Sequence, residues 1–565
     1  MFMAACLEDK SKTMNKKLPL VTALLFIAPF LFSQTLVKDI FTGINGANPG
    51  IIAPLSNGFL MYANSTGTGK EPWFSDGTEK GTFLLKDIQP GAASSDFATF
   101  YVKVGNDIFF VAKHMGGFNM SLWKTDGTVN GTVQIKDLGT YNIVGSGGII
   151  KAMPMAEFKG ALYFSFDGGT GVELWKSDGT GSGTVQLKDI NDNIGEGSNP
   201  TGYTVYNNNL YFFANNGING NELWKTDGTA NGTVMVKDLY QGAISSFGQG
   251  APSLFVFKNK LYFGAQGGHD EGVELYVTDG TANGTVLFKD INTDVGGNSY
   301  PGFINASNDY FIFRATTTKE GAEAWVSDGT SAGTKLLTDI SAGTASSYPG
   351  ACMPLGNKIV FTTYTTTDGS ELWITDGTSA NTKLLKNINP GTSDGYFGSA
   401  TKIGNMVYFL GTTINNGLEI WETDGTEAGT KLQLETNPGT TGSASNRMIE
   451  LGGKLYFNAT ITKDSIGNEL YVHKPTQSSG VNRLELNNIV LYPNPVHSGS
   501  NLTFLPVGNE VVQSAQIFNQ QGQLVYETKE VNHSMTIPSN LKSGMYMLHV
   551  VGESHRYTSK LSVVQ

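Results

Sequence analysis

Nine times along its 565 residues the chain writes the same line. A representative copy reads Glu173-Leu174-Trp175-Lys176-Ser177-Asp178-Gly179-Thr180. Its aromatic slot holds Trp73, Trp123, Trp175, Trp224, Tyr276, Trp325, Trp373, Trp421 and Tyr471, which includes all seven Trp of the protein. Successive slots are 50, 52, 49, 52, 49, 48, 48 and 50 residues apart. A fixed period near 50 admits only folds in which one supersecondary unit packs on copies of itself: propellers, solenoids and arrays.

Each unit predicts four short strands. Around Tyr276 they are Leu254 to Phe257, Leu261 to Gly264, Glu274 to Val277 and Thr285 to Ile291, separated by a Lys258-Asn259-Lys260 turn, a Gly-rich loop and an Asp-Gly-Thr turn. Such runs are short, aromatic or β-branched, and bounded by Gly and Asn, as strands require. Composition agrees, with 71 Gly, 11% aromatic and only 15% charged residues. Glycine without a G-X-Y period excludes collagen, the aromatic content excludes disorder, and no helical periodicity is present. Four antiparallel strands in about 50 residues match one propeller blade.

The ends of the array distinguish a ring from an open stack. Leu36-Val37-Lys38-Asp39-Ile40 reads as a fourth strand with no third before it. Asn468 to Val472 reads as a third strand with no turn or fourth strand after it. Each end lacks what the other supplies, so the N-terminal strand is expected to complete the last blade and leave no free edge. The predicted fold is all-β: a closed β-propeller of about nine four-stranded blades, followed by a small C-terminal β-sandwich.

The motif Asp-Gly-Thr-x-x-Gly-Thr is placed at Asp76, Asp126, Asp178, Asp227, Asp279, Asp328, Asp376 and Asp424, between third and fourth strands. Asp accepts backbone N–H bonds in an Asx-turn, Gly supplies positive φ, and Thr caps the loop, so the motif reads as a structural turn. It loosely resembles the Asp-box hairpin of sialidase propellers. One carboxylate per copy is too few for Ca²⁺, which takes 6–8 oxygens. Glu stands two residues before the aromatic slot at 71, 173, 222, 274, 323, 371, 419 and 469, with Ser121 the exception. Lys precedes Asp or Asn in the fourth strand at Lys38, Lys86, Lys136, Lys188, Lys237, Lys289 and Lys386. Hairpin folding is expected to bring this Glu near this Lys as a cross-strand ion pair, and a ring of such carboxylates would present an anionic rim.

Catalytic constellations are sparse. The repeats contain only Arg314 and Arg447, too few for a sialidase-type carboxylate clamp. Their His114, His269 and His473 stand in different units without metal-ligand spacing. No nucleophile elbow or phosphate loop is present. The chain is therefore expected not to be an enzyme and to hold no cofactor and no metal. Net charge is −11 and only four of 38 basic residues are Arg, so no basic face for nucleic acid is expected.

Residues 1–33 read as an over-extended start followed by an export signal. Met14-Asn15-Lys16-Lys17 is the basic segment and Leu18 to Phe32 the apolar run, with cleavage expected after Ser33. That run is too short for the ~20 residues a membrane-spanning helix needs. Cys6 precedes it, so the mature chain keeps Cys352 alone and no intramolecular disulfide. Residues 34–474 form the propeller, 475–486 a linker by composition, and 487–565 a separate domain of alternating strands.

That last domain contains Tyr492-Pro493-Asn494-Pro495, Gly522 in a middle hairpin, Gly544-Met545-Tyr546 and a terminal Lys560. In this order the residues resemble the type A C-terminal sorting domain of the type IX secretion system of Bacteroidota. The resemblance implies export through the outer membrane by that machinery, with release or attachment at the cell surface. The repeats over about 35–474 resemble the ELWxxDGT repeat family, whose ligands are poorly defined.

Function is expected to follow where the units differ. The Asp-Gly-Thr turns are constant, whereas Asn215 to Asn221, Gly267 to Gly272 and stretches 139–151, 191–202 and 292–302 vary. Constant turns at one end and variable loops at the other predict a binding or adhesion module for a glycan, protein or surface polymer. The alternative is a secreted polysaccharide-degrading glycosidase or lyase with its site at the channel, which would need two carboxylates ~5–9.5 Å apart there.

Overall fold

The computed structural model describes residues 34–95, 101–114, 119–140, 154–247, 253–268, 270–395, 398–437, 439, 442, 447–461, 466–475, 486–488, 490–505, 512–519, 523–529, 534–552 and 556–565. The expected export signal, His269, Gly522 and most of the expected linker lie outside these residues. The chain divides into two compact units between Pro475 and Thr476. Among the described residues there is no α-helix, and one 3₁₀ turn at Ser379–Asn381 is the sole helical element.

The first unit contains nine four-stranded antiparallel sheets, an arrangement consistent with a β-propeller. Eight are built from consecutive strands, as in Leu254–Phe257, Lys260–Ala265, Glu274–Thr278 and Val286–Lys289. The ninth joins Met448–Leu451, Lys454–Ile461 and Ile466–His473 to Gln34–Lys38 from the other end of the sequence. There Gln34 pairs with His473 and Leu36 with Tyr471.

A recurring β-bulge gives these hairpins a common register. Trp175 faces Gln186 while the preceding Leu174 faces Lys188, so Leu187 is the inserted residue. The same step separates Trp224 from Leu223, Tyr276 from Leu275, Trp325 from Ala324, Trp373 from Leu372 and Trp421 from Ile420. It recurs in the ninth sheet, where Val37 is the inserted residue. A bulge of this kind bends the strand and strengthens its twist.

Packing follows the same period. Nine apolar clusters each draw side chains from two consecutive sheets. Trp123 of the second sheet, for example, packs with Ile52, Leu60, Leu85 and Ile88 of the first. One cluster joins the ninth sheet to the first, through Val37, Ile40, Tyr456 and Leu470 against Ile51, Phe59, Met61 and Trp73. At ~25 cal/mol per Å² of apolar surface, such seams are the main favourable contribution to folding.

The second unit pairs a sheet centred on Arg556–Val564, Gly544–Gly552 and Val512–Phe518 with a three-stranded sheet of Val490–Tyr492, Asn501–Leu505 and Ser534–Thr536. Leu502, Ile517, Leu548, Val550 and Leu561 form its core.

Candidate functional site

Antiparallel order sends the turns between first and second strands, and between third and fourth, to one end of each sheet. The loops between second and third strands, and the crossings from one sheet to the next, lie at the other end. These two ends differ in chemistry.

At the first end, each Asp of the repeated turn acts on its own loop. Asp126 Oδ1 accepts from Thr128 N at 2.8 Å and from Thr128 Oγ1 at 2.7 Å. Thr128 Oγ1 in turn accepts from Gly131 N, and Thr132 Oγ1 donates back to Thr128 O. The same bonds recur at Asp76, Asp178, Asp227, Asp279, Asp328 and Asp424. A Cβ at Gly131 would meet the Asp126 carboxylate at 2.0 Å, which is why glycine stands there. Asp376 departs from this pattern. Asn381 replaces the glycine, its Nδ2 donates to Asp376 Oδ2 at 2.7 Å, and the loop tightens into the 3₁₀ turn. Threonine hydroxyls hold the carboxyls of Asp126, Asp178, Asp227, Asp279, Asp328 and Asp376 below the usual carboxylate range.

The aromatic slots are interior positions. Trp73, Trp123, Trp175, Trp224, Tyr276, Trp325, Trp421 and Tyr471 are buried and Trp373 is half-buried. Most of them sit at the seams between sheets.

The repeated Glu does not pair with the repeated Lys, contrary to the cross-strand ion pair expected from sequence. Glu71, Glu173, Glu222, Glu274, Glu323, Glu371, Glu419 and Glu469 are buried, and they fasten the crossing segments. Glu274 accepts from Ile291 N at 2.7 Å, Ser299 N at 2.9 Å and Ser299 Oγ at 2.7 Å. Glu469 accepts from Ile40 N at 2.9 Å and Ala47 N at 2.7 Å, across the two ends of the repeat region. The stapled residue then receives a bond from the next sheet: Gln266 N on Ser246 O, Thr316 N on Ser299 O, and Asn64 N on Ala47 O, each at 2.8 Å. Burial outweighs these hydrogen bonds and pushes Glu71, Glu222, Glu274, Glu371 and Glu469 up to about 7. Carboxylates this enclosed form no anionic rim.

The fourth-strand Lys instead crosses the seam at the turn end. Lys38, Lys188 and Lys237 Nζ donate to the carbonyls of Thr82, Thr233 and Thr285 of the following sheet at 2.6–2.7 Å. Ser121, where Glu is missing, links His114 Nδ1 and Gln134 Nε2 through its hydroxyl. Clefts of about 440 and 570 Å³ open at the turn end of the seams following the sixth and seventh sheets. In those sheets Val326 and Ile374 occupy the position held by Lys124, Lys176 and Lys225 in the second to fourth.

The crossing-loop end carries what sequence reasoning missed. Tyr300 and Tyr348 stand immediately after the stapled Ser299 and Ser347, and both rings are exposed. The recurrence of Ser 24 or 25 residues after Glu was the available signal for the staple. Among the described residues no group of three or more His, Cys, Asp or Glu side chains is placed to hold a metal ion.

In the second unit, Asn494 clasps the last strand, its Nδ2 donating to Lys560 O and its Oδ1 accepting from Ser562 N, both at 2.8 Å. Tyr546 Oη donates to Lys542 O at 2.9 Å, while Tyr492 is exposed. The side chain of Asn494 thus holds the Tyr-Pro-Asn-Pro segment onto the strand that bears Lys560.

No curated protein matches the chain. Solved structures similar to it include puromycin hydrolase, at 13% identity and TM-score 0.35, covering 63% of this chain and 58% of that one. A prolyl endopeptidase structure aligns at 12% identity and TM-score 0.35, covering 70% of this chain and 56% of that one. The chain thus spans somewhat over half the length of these hydrolases. PorZ, an essential surface component of the type IX secretion system of Porphyromonas gingivalis, aligns at 12% identity and TM-score 0.29, covering 91% of this chain and 75% of PorZ. These similarities transfer no activity at such scores. They do correct the expectation that the chain is not an enzyme, because hydrolases stand among the similar structures, and that exclusion is withdrawn.

Residues 490–564 match the family model for the secretion system C-terminal sorting domain. No helix among the described residues is long and apolar enough to cross a membrane. The chain carries a type IX sorting domain, and the protein is secreted or held at the outer cell surface.

Proposed function

We propose that residues 34–474 form a closed nine-bladed β-propeller of the ELWxxDGT repeat type, carried out of the cell by the type IX machinery. It works there as a binding module for an extracellular glycan, protein or surface polymer. In this reading residues 1–33 are an export leader, 475–486 a linker and 487–565 the sorting domain. The Asp turns and aromatic slots are structural, and the crossing-loop end is the binding face.

Closure is supported by the seam between the ninth and first sheets, which has the bulge, Glu staple and apolar cluster of the internal seams. One observation carries the functional reading. The turn end repeats one hydrogen-bond pattern seven times over, whereas the opposite end carries exposed side chains that change from unit to unit, including Ile44, Ile194, Ile218, Tyr300, Tyr348 and Ile414. Function concentrates in variable loops set on a rigid scaffold. The test is a glycan array probed with the full chain, with binding to at least one polysaccharide class expected. A blank array overturns a glycan ligand and leaves a protein or non-carbohydrate polymer.

A further inference from the structure

Aromatic residues are abundant, yet among the described residues of the first unit only Tyr300, Tyr348 and Tyr364 are exposed, at 54%, 63% and 38%. All three belong to the sixth and seventh sheets or the crossings that lead into them, at the variable end. Tyr300 and Tyr348 have φ of 45° and 46°. Equivalent positions ahead of the first and fourth sheets hold Asn48 and Asn199, at 47° and 49°. Asn tolerates this left-handed conformation, whereas for a bulky ring it is an outlier of the kind that collects at binding sites.

The backbone beneath each ring is fixed on both sides. Ser299 and Ser347 are stapled through N and Oγ to Glu274 and Glu323. Tyr300 N and Tyr348 N donate to Val273 O and Ala322 O at 3.2 Å, and buried Pro301 and Pro349 follow. Tyr364 N donates to Ser347 O at 2.8 Å, placing the third ring's backbone beside the second.

Arg314 adds a charge. It pairs with Gly302, two residues from Tyr300 and so within about 7 Å along the chain. Its Nη2 lies 3.5 Å from where a Cβ on Gly302 would stand, so the guanidinium lies over the neighbouring strand. Arg314 is exposed and makes no ion pair among the described residues. Glu320, in the loop that follows the strand of Arg314, is matched by Lys319 at 2.8 Å.

We infer that Tyr300, Tyr348, Tyr364 and Arg314 form a binding site for an acidic polysaccharide. The rigid rings stack on the C–H faces of pyranose units and the guanidinium pairs with a uronate carboxylate. This inference rests on the proposed binding face and names its ligand class. The test uses the full chain against hexasaccharides of galacturonate, mannuronate and guluronate, with laminarihexaose as the neutral control. The parent binds at least one uronate more tightly than laminarihexaose. The pair Tyr300→Asn with Tyr348→Asn, which installs the residue found at the equivalent positions, weakens that binding about tenfold or more. Arg314→Gln weakens it similarly and abolishes the preference over laminarihexaose. Parental affinity in all variants overturns this site while leaving the binding face. Failure of the parent to bind any uronate also overturns it, and the array described above then decides the face separately.

Discussion

At the scale of single residues, one carboxylate oxygen organises each repeated turn. Asp126 Oδ1 takes both the amide and the hydroxyl of Thr128, and the threonine passes the constraint on to Gly131 and Thr132. The acceptor oxygen is the essential part of this arrangement, and ionisation strengthens its bonds, which holds the carboxyl below its usual range. Asp126→Asn keeps the acceptor without the charge and is expected to lower the urea midpoint by clearly less than Asp126→Ala. Asp126→Ala removes two modest hydrogen bonds and costs about 1 kcal/mol. Equal losses for the two variants would show that the charge, rather than the acceptor, holds the turn. The seventh unit already tests the rule naturally, since Asn381 supplies an amide where the others have glycine and the loop changes shape to receive it.

At the scale of the element, the Glu staple turns four strands into a unit that hands its chain to the next. Glu274 receives three main-chain and hydroxyl donors within 3 Å in a site closed to water. Glu274→Gln turns an NH₂ towards those donors, leaving buried groups unpaired at a cost of about 1–3 kcal/mol in urea unfolding. A loss no larger than that of an exposed substitution would mean that the staple is incidental. Much of the element was legible beforehand. Turn chemistry is local, so Asp-Gly-Thr announced its hairpin, and the strands followed from aromatic and β-branched runs. The partners of Glu and Lys were not legible, because a single inserted residue reverses which side of a strand a side chain faces. The bulge at Leu187 is such an insertion, and no residue type marks it. Glu173 therefore faces the crossing segment while Lys188 reaches the next sheet. The exposure of Tyr300 and Arg314 was equally hidden, since it depends on a side chain's neighbours rather than on its place in the period.

At the scale of the whole molecule, the proposed ring depends on five residues contributed by the far end of the sequence. Val37 is buried between the ninth and first sheets beside Ile51 and Trp73. Val37→Asp places an unpaired charge there and is expected to cost about 3 kcal/mol or more. Faster amide exchange should appear in Ile466–His473, which pairs with Gln34–Lys38. Unchanged exchange in that strand would argue that the ring does not need its first strand.

The two carboxylate sets also give the molecule opposing pH responses. Staple Glu side chains at about 7, against an ordinary 4.5, hold protons in the folded chain that the unfolded chain has released. Their contribution is complete below 4.5 and lost as pH rises through about 7. The turn Asp side chains, lowered from 3.8, contribute above that value and lose their contribution as pH falls below it. Calorimetry should therefore find the first unit's melting temperature highest near pH 4–5, falling towards pH 7 and level beyond it. Glu274→Gln should make that fall shallower while lowering the whole curve. A melting temperature that rises between pH 5 and 7 would show that hydrogen bonding, rather than burial, governs the staples.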